Sequence, residues 1–141
     1  MSQTALIPYL TFDGNCREAM NFYKQCLGGE LTIQTFGDSP MESAPEDKDR
    51  VMHSNLNTGN MLFMASDNMP GSPYVQGTNV SMSVNCSSKE EVDRMFDALS
   101  NGGIVTLAKQ DTFWGAYFGM CIDKYGINWM FNFDMPKQQG A

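Results

Sequence analysis

The chain has 141 residues, 42% hydrophobic and 11% aromatic, which fits one domain or two small halves sharing a core and excludes a disordered chain. A net charge of −7 with no basic run excludes nucleic-acid binding, since a polyanion is repelled. No apolar run approaches the roughly 18 residues of a membrane helix, and MSQTALIPYL lacks the basic start and apolar core of a signal peptide, so a soluble cytoplasmic protein is expected.

Residues 5–12, ALIPYLTF, read as a strand, with Pro8 at an edge or where no ladder bond is needed. Asp13-Gly14-Asn15 turns the chain and Asn15 can cap a helix. Ala19, Met20, Tyr23 and Leu27 form a helical stripe over residues 16–27, which Gly28-Gly29 ends. Residues 30–36 alternate as a strand. Gly37 to Arg50, with two prolines and no periodicity, reads as a mobile loop. Strands at 51–56 and 60–65 follow, joined by Asn57-Thr58-Gly59. Residues 66–77, rich in Pro and Gly, link to a second half.

That half repeats the order. A strand at 79–84 precedes a helix at 89–100, with Ser87 or Ser88 as cap, Glu90-Glu91 in the first turn, and Val92, Met95, Phe96 and Leu99 inward. Gly102-Gly103 ends it. Strands are expected at 103–108, 112–122 and 127–133, turning at Gly126, before a frayed tail at 135–141. The double glycines lie 74 apart (102 minus 28), and Gly59 and Gly126 lie 67 apart (126 minus 59). A βαβββ unit is therefore used twice, at 5–66 and 78–134, with 67–77 between. The fold class is α+β, each sheet having a helix on one face and the other face to be covered by something else.

Alternation assigns the faces. Val80, Met82 and Val84 belong under the helix, leaving Asn79, Ser81 and Ser83 on the opposite side. Trp129, Phe131 and Phe133 share the core side, and Asn128, Met130 and Asn132 the other. A dry core rarely accepts so many serines and asparagines, so the polar side reads as a cavity wall, against an exposed sheet face or a subunit interface. Trp114, Phe118 and Met120 share strand parity. The 67-residue offset maps Met120 onto His53 and Met130 onto Phe63, placing both on the concave side. His53 is either a hydrogen-bonded structural residue or a general base or ligand anchor, without a carboxylate near it in sequence. Cys16, Cys26, Cys86 and Cys121 form no CxxC pair and only one His is present, so zinc is not expected and the thiols read as packed and reduced.

With these residues placed, the chain resembles the vicinal oxygen chelate superfamily, the glyoxalase and bleomycin-resistance fold, and more closely its PhnB-like branch. The resemblance rests on Pro8–Phe12 with Gly14-Asn15, Glu18-Ala19, Phe22-Tyr23 and Leu27–Leu31. It continues with Phe36–Asp38, Met52–Ser54, Met64–Asp67, Thr112–Gly115, Phe118-Gly119, Asp123–Gly126 and Trp129-Met130. It implies paired βαβββ modules curled into a cupped sheet around a small-molecule cavity, and a homodimer. A demethylubiquinone methyltransferase-like label is used in this branch, but the sequence shows no glycine-rich strand–turn–helix suited to a nucleotide-containing methyl donor. Metal enzymes of the superfamily supply His, Gln or Glu ligands at positions that align here with Pro8, Phe63, Asn79 and Met130. These are poor hard-metal ligands, so no metal and no cofactor is expected.

The first reading is a metal-independent protein that binds a small molecule of unknown identity. Trp114, Phe118, Met120, Met130 and Phe63 would make the apolar contacts, and Asn79, Ser81, Asn128 and His53 the polar ones. The alternative is a lyase-, isomerase- or transferase-type enzyme with His53 as acid–base and Asn79 or Asn128 at an oxyanion. A third treats the polar sheet face as dimer core.

Overall fold

The structure is a computed structural model and describes residues 4–40 and 43–136. The order is β1 (Tyr9–Phe12), α1 (Cys16–Leu27), β2 (Glu30–Thr35), β3 (Val51–Asn57) and β4 (Leu62–Asp67). Then come β5 (Ser81–Asn85), α2 (Lys89–Ser100), β6 (Ile104–Asp111), β7 (Ala116–Ile122) and β8 (Asn128–Asp134). Contacts divide the chain into two compact units, Met1–Val75 and Gln76–Ala141. Each holds one four-stranded mixed sheet of identical topology, β1-β4-β3-β2 and β5-β8-β7-β6, whose first and last strands pair in parallel. The α+β class and the doubled βαβββ unit are as the sequence predicts.

The first module builds its core from the apolar stripe of α1. Ala19, Met20, Tyr23 and Leu27 are buried, as expected, with Cys16 and Cys26. Tyr23 sets its ring against Phe12 and edge-on against Phe63, at centroid distances of 6.4 and 5.8 Å. Asn15 stands at the helix N-cap but its side chain does not cap. The first backbone N–H, of Cys16, instead donates to Asp67 Oδ1 at 3.0 Å, while Asp67 Oδ2 accepts from Val51 N at 2.9 Å. One buried carboxylate at the end of β4 thus ties the start of α1 to the start of β3, satisfying two donors that the interior would leave bare. Pro8 precedes the edge strand β1 and offers only its carbonyl, which accepts from Met64 N. The 37–50 segment contains two 3-10 turns, Phe36–Asp38 and Pro45–Asp47, rather than unbroken loop; its residues 41–42 lie outside the described residues.

In the second module Val92, Met95, Phe96 and Leu99 are buried as expected. Ser88 is the cap, accepting from Glu91 N, while the Glu91 carboxylate accepts from Ser87 N. Phe96 meets Phe131 edge-on at 6.1 Å, and Trp129 stacks on Phe131. The buried carboxylate here is Asp123. It accepts from Tyr125 N, Ile127 N and Trp129 Nε1, closing the β7–β8 turn onto the buried indole.

Several sequence expectations need correction. Val80 does not lie under α2; β5 starts at Ser81, two residues later than expected, and Val80 is 72% exposed. The expected strand over 112–122 begins only at Ala116, because residues 112–115 form the β6–β7 turn, and β6 runs past 108 to Asp111. The tail beyond residue 136 lies outside the described residues. The double glycines do more than end helices: a Cβ at Gly29 would stand 2.6 Å from the Asn57 carbonyl oxygen, and one at Gly103 would overlap the Ile122 carbonyl oxygen. Both modules use the second glycine to lay the helix exit against the next hairpin.

Candidate functional site

Each sheet has one face under its helix and one open face, and register assigns residues to them. On the second module's open face the central row runs Ser83–Met130–Met120–Leu107. Flanking rows are Ser81–Asn128–Ile122–Ile104 and Asn85–Asn132–Phe118–Gln110. Two shifts of register in β6 occur between Val105 and Gln110. They bring Lys109 to the helix side, where its ammonium lies 2.9 Å from Asp93 and 2.8 Å from Asp97. The open face is left with thioethers, aliphatic chains, the Phe118 ring, amides and hydroxyls.

The predicted residues of the second module fall into three groups. Ser81, Phe118, Met120, Asn128 and Met130 lie on this open face, with Met120 directly opposite Met130. Trp114 is in the turn rather than a strand, yet its ring meets Phe118 edge-on at 6.1 Å and stays 58% exposed. Asn79 precedes β5 and is exposed. Asn128 donates from Nδ2 to the Val80 carbonyl at 3.1 Å, and Asn132 from its own Nδ2 to Asp134 at 3.1 Å. Side-chain amides here are thus partly engaged and oriented.

His53 belongs to the first module. It lies across from Gln34, on the face opposite to that of buried Ser54 and Leu56. Its Nδ1 is 3.1 Å from the Tyr9 hydroxyl. The row Tyr9–Met64–Asn55–Thr32 runs beside it, and Thr11 pairs with Ser66. Tyr9 escaped the sequence reading because β1 was not assigned faces. Its alternation, Leu10 and Phe12 against Tyr9 and Thr11, was the available signal.

Phe63 does not line the open face. It is buried against Tyr23 on the helix side. The cause is a one-residue error in the repeat offset. Leu56 pairs with Phe63, seven positions on, whereas the matching Cys121 pairs with Trp129, eight positions on. The second hairpin is longer by one residue, so Met130 corresponds to Met64 at 66 (130 minus 64), and a slip of one moves a strand residue to the other face. His53 survives the error because on β3 and β7 the burial patterns align it with Phe118, 65 apart (118 minus 53). That differs from 67 by two, which preserves the face.

The residues do not fit a hard divalent ion. Of the four positions that the resemblance aligns with metal ligands, Pro8 and Asn79 lie outside strands, Phe63 is under the helix and gives way in register to Met64, and Met64 and Met130 offer only thioethers. Among the described residues no three His, Cys, Asp or Glu side chains are placed to hold a metal ion together. Three of the cysteines are poorly suited as nucleophiles: burial pushes Cys16 up to about 12, the nearby Asp67 adding to it, and burial raises Cys86 and Cys121 to about 11. A separate depression of about 380 Å³ at the start of α1 is lined by Arg17, Glu18, Glu46, Asp49, Arg50 and Asp67, with Gly14. Asp67 is already committed to two backbone donors there, and Arg50 donates to the Asn68 carbonyl while its buried Nε has no hydrogen-bond partner among the described residues. No helix among the described residues is long and apolar enough to cross a membrane.

Comparison with known proteins agrees with this geometry. A family profile described as 3-demethylubiquinone-9 3-methyltransferase matches residues 4–131. Protein YjdN of Escherichia coli K12 is 34% identical, covering 95% of this chain and 97% of its own. The crystal structure of PA1353 from Pseudomonas aeruginosa superposes with a TM-score of 0.87 at 46% identity, covering 95% of this chain and all of that one. A Bacillus cereus structure described as a putative 3-demethylubiquinone-9 3-methyltransferase, PhnB protein, gives 0.76 at 26% identity over 92% of this chain and 99% of its own. Solved members of the glyoxalase/bleomycin resistance protein/dioxygenase family share the fold at 17% identity, with TM-scores of 0.63 and 0.59.

Proposed function

Since the chain belongs to the 3-demethylubiquinone-9 3-methyltransferase family, the PhnB-like branch of the glyoxalase/bleomycin-resistance fold, we propose that it binds a small organic molecule on its open sheet faces, without a metal ion. The observation that carries this is the Met120–Met130 pair with Phe118, Asn128 and Asn132 around it. These are apolar and amide groups at the centre of a sheet, on the side that carries no helix. Such a mixture suits a ligand that buries an apolar body and places a few polar atoms.

Methyl transfer, named in the family description, finds little support in the residues. The connections into the helices, Asp13-Gly14-Asn15 and Cys86-Ser87-Ser88, lack the glycine-rich cradle of a nucleotide-containing donor. An enzyme with His53 as acid–base is the second reading; the neighbouring phenol holds the ring in place and suits it to giving a proton rather than taking one. His53→Ala would then abolish turnover of the bound molecule while leaving the fold intact. A cytoplasmic homodimer is part of the proposal; exposed Leu6, Phe113 and Val75 on each chain are apolar surface that a second copy could cover.

Native mass spectrometry of protein purified without chelators tests this reading. A retained organic mass, lost in a Met120→Ala/Met130→Ala double variant, supports it. A stoichiometric transition metal in place of an organic mass overturns it. The same spectrum gives the subunit number.

A further inference from the structure

We propose that Tyr9 is a positioning residue for His53: it fixes the neutral imidazole with its proton on Nε2, and so makes the first module's open face a site for a ligand bearing an acceptor oxygen. The inference rests on the binding reading above and names the chemistry of one part of that site.

Tyr9 on β1 and His53 on β3 are separated by β4, and their rings lie 5.8 Å apart, tilted by 34°. The phenol oxygen reaches Nδ1 at 3.1 Å. Among the described residues it is the only side-chain hydrogen-bond partner of the imidazole. The register neighbours are Gln34 across from His53, and Met64 and Thr32 in line with Tyr9, none of them a carboxylate. A phenol has one proton to give and an oxygen whose lone pairs are partly drawn into the ring. A neutral imidazole has one bare nitrogen, a strong acceptor, and one N–H. The pairing that uses both groups best sends the O–H to a bare Nδ1. The bond at one ring nitrogen decides the state of the other, so Nε2 carries the hydrogen and is left as a donor. A carboxylate partner would do the opposite, holding the proton on Nδ1 and leaving Nε2 as a base. The site therefore favours a ligand carbonyl or comparable oxygen over a ligand proton to be removed. The second module has no counterpart: register puts Ser83 where Tyr9 stands, and the burial pattern puts Phe118 where His53 stands.

The chain has a single histidine, so its ring nitrogens give one unambiguous pair of signals in long-range proton–nitrogen correlation spectra of isotope-labelled protein. With the imidazole neutral, the wild type is expected to show a bare Nδ1 and a protonated Nε2. In Tyr9→Phe the two nitrogen shifts should move toward each other as the tautomers interconvert, with the fold unchanged by circular dichroism. A proton on Nδ1 in the wild type, or a spectrum unaltered by Tyr9→Phe, overturns the proposal. Titration with N,N-dimethylacetamide, which has an acceptor oxygen and no donor, should move Nε2 in the wild type and severalfold less in the variant. A wild-type Nε2 that does not respond overturns the assignment of ligand class. Absence of any retained ligand in native mass spectrometry would instead overturn the binding reading and leave the tautomer result standing.

Discussion

The two modules share a topology and differ in what they place on the open face. The first presents an imidazole, a phenol, hydroxyls and amides, with Met64 among them. The second presents paired thioethers and aromatic rings edged by amides. On the helix side the roles balance differently. Ser54 and Ala65 are small partners in the first module, where the second has Gly119 against Phe131. Gly119 leaves the space that Phe96 and Lys109 occupy: a Cβ there would stand 2.9 Å from the Phe96 ring. The two modules share the strand order and the burial of the helix-side face, which set the fold. The other face differs between the modules, and the proposed binding groups lie there.

The buried carboxylates give the largest test of that comparison. Asp123→Ala strips three donors, Tyr125 N, Ile127 N and the buried Trp129 indole; each donor left unsatisfied costs about 1–3 kcal/mol, so a loss of about 4 kcal/mol is expected in urea unfolding. Asp67→Ala strips two and should cost about 3 kcal/mol. Equal or reversed losses would show that these carboxylates do not anchor their modules in the way described.

Alkaline pH is expected to act next. Cys16 is raised from an ordinary 9.0 to about 12 by burial. The folded state therefore holds the thiol proton more tightly than the unfolded state. Its contribution is whole below pH 9 and is lost as pH rises toward the folded value, with a slope of up to about 1.4 kcal/mol per pH unit. Urea unfolding across pH 9 to 11 should show stability falling, and falling less steeply in Cys16→Ala. The same slope in both proteins would remove Cys16 from the account.

The smallest expected effect concerns Lys109, which is confined to the second module. Its ammonium bridges Asp93 and Asp97, and Tyr117 donates to Asp93 at 2.7 Å. The hydrogen bond from Lys109, followed by that from Tyr117, holds the Asp93 carboxyl below the usual range. Both carboxylates are well exposed, so Lys109→Met should cost about 1 kcal/mol or less, and less still in high salt.

Most of the fold was legible because its signals are local. The stripes on both helices, the alternation in β8 and the double glycines each follow from residues a few positions apart, and each landed where it was read. The open face was legible only where alternation was strict, as at Asn128, Met130 and Asn132. It failed where a length had to be inferred across the repeat. Phe63 was misplaced because the β3–β4 hairpin is one residue shorter than its counterpart, and turn glycines do not report strand register. Val80 departs from the expectation because it precedes β5, so no strand pairing holds its side chain inward. Tyr9 meets His53 across an intervening strand, and no spacing along the chain encodes that meeting. The Asp67 cap on α1 was hidden for the same reason, since its donor lies 51 residues away.

The open faces are best tested through methionine, which lies on both sides of the sheets. Methyl labelling gives Met64, Met120 and Met130 as reporters of the open faces, with Met20 and Met95, buried under the helices, as internal controls. Spectra taken before and after adding back the small molecules extracted from denatured native protein should show Met120 and Met130 moving most. Met64 should follow and the two controls stay still. Movement confined to Met20 and Met95, or to none of the five, would contradict the account.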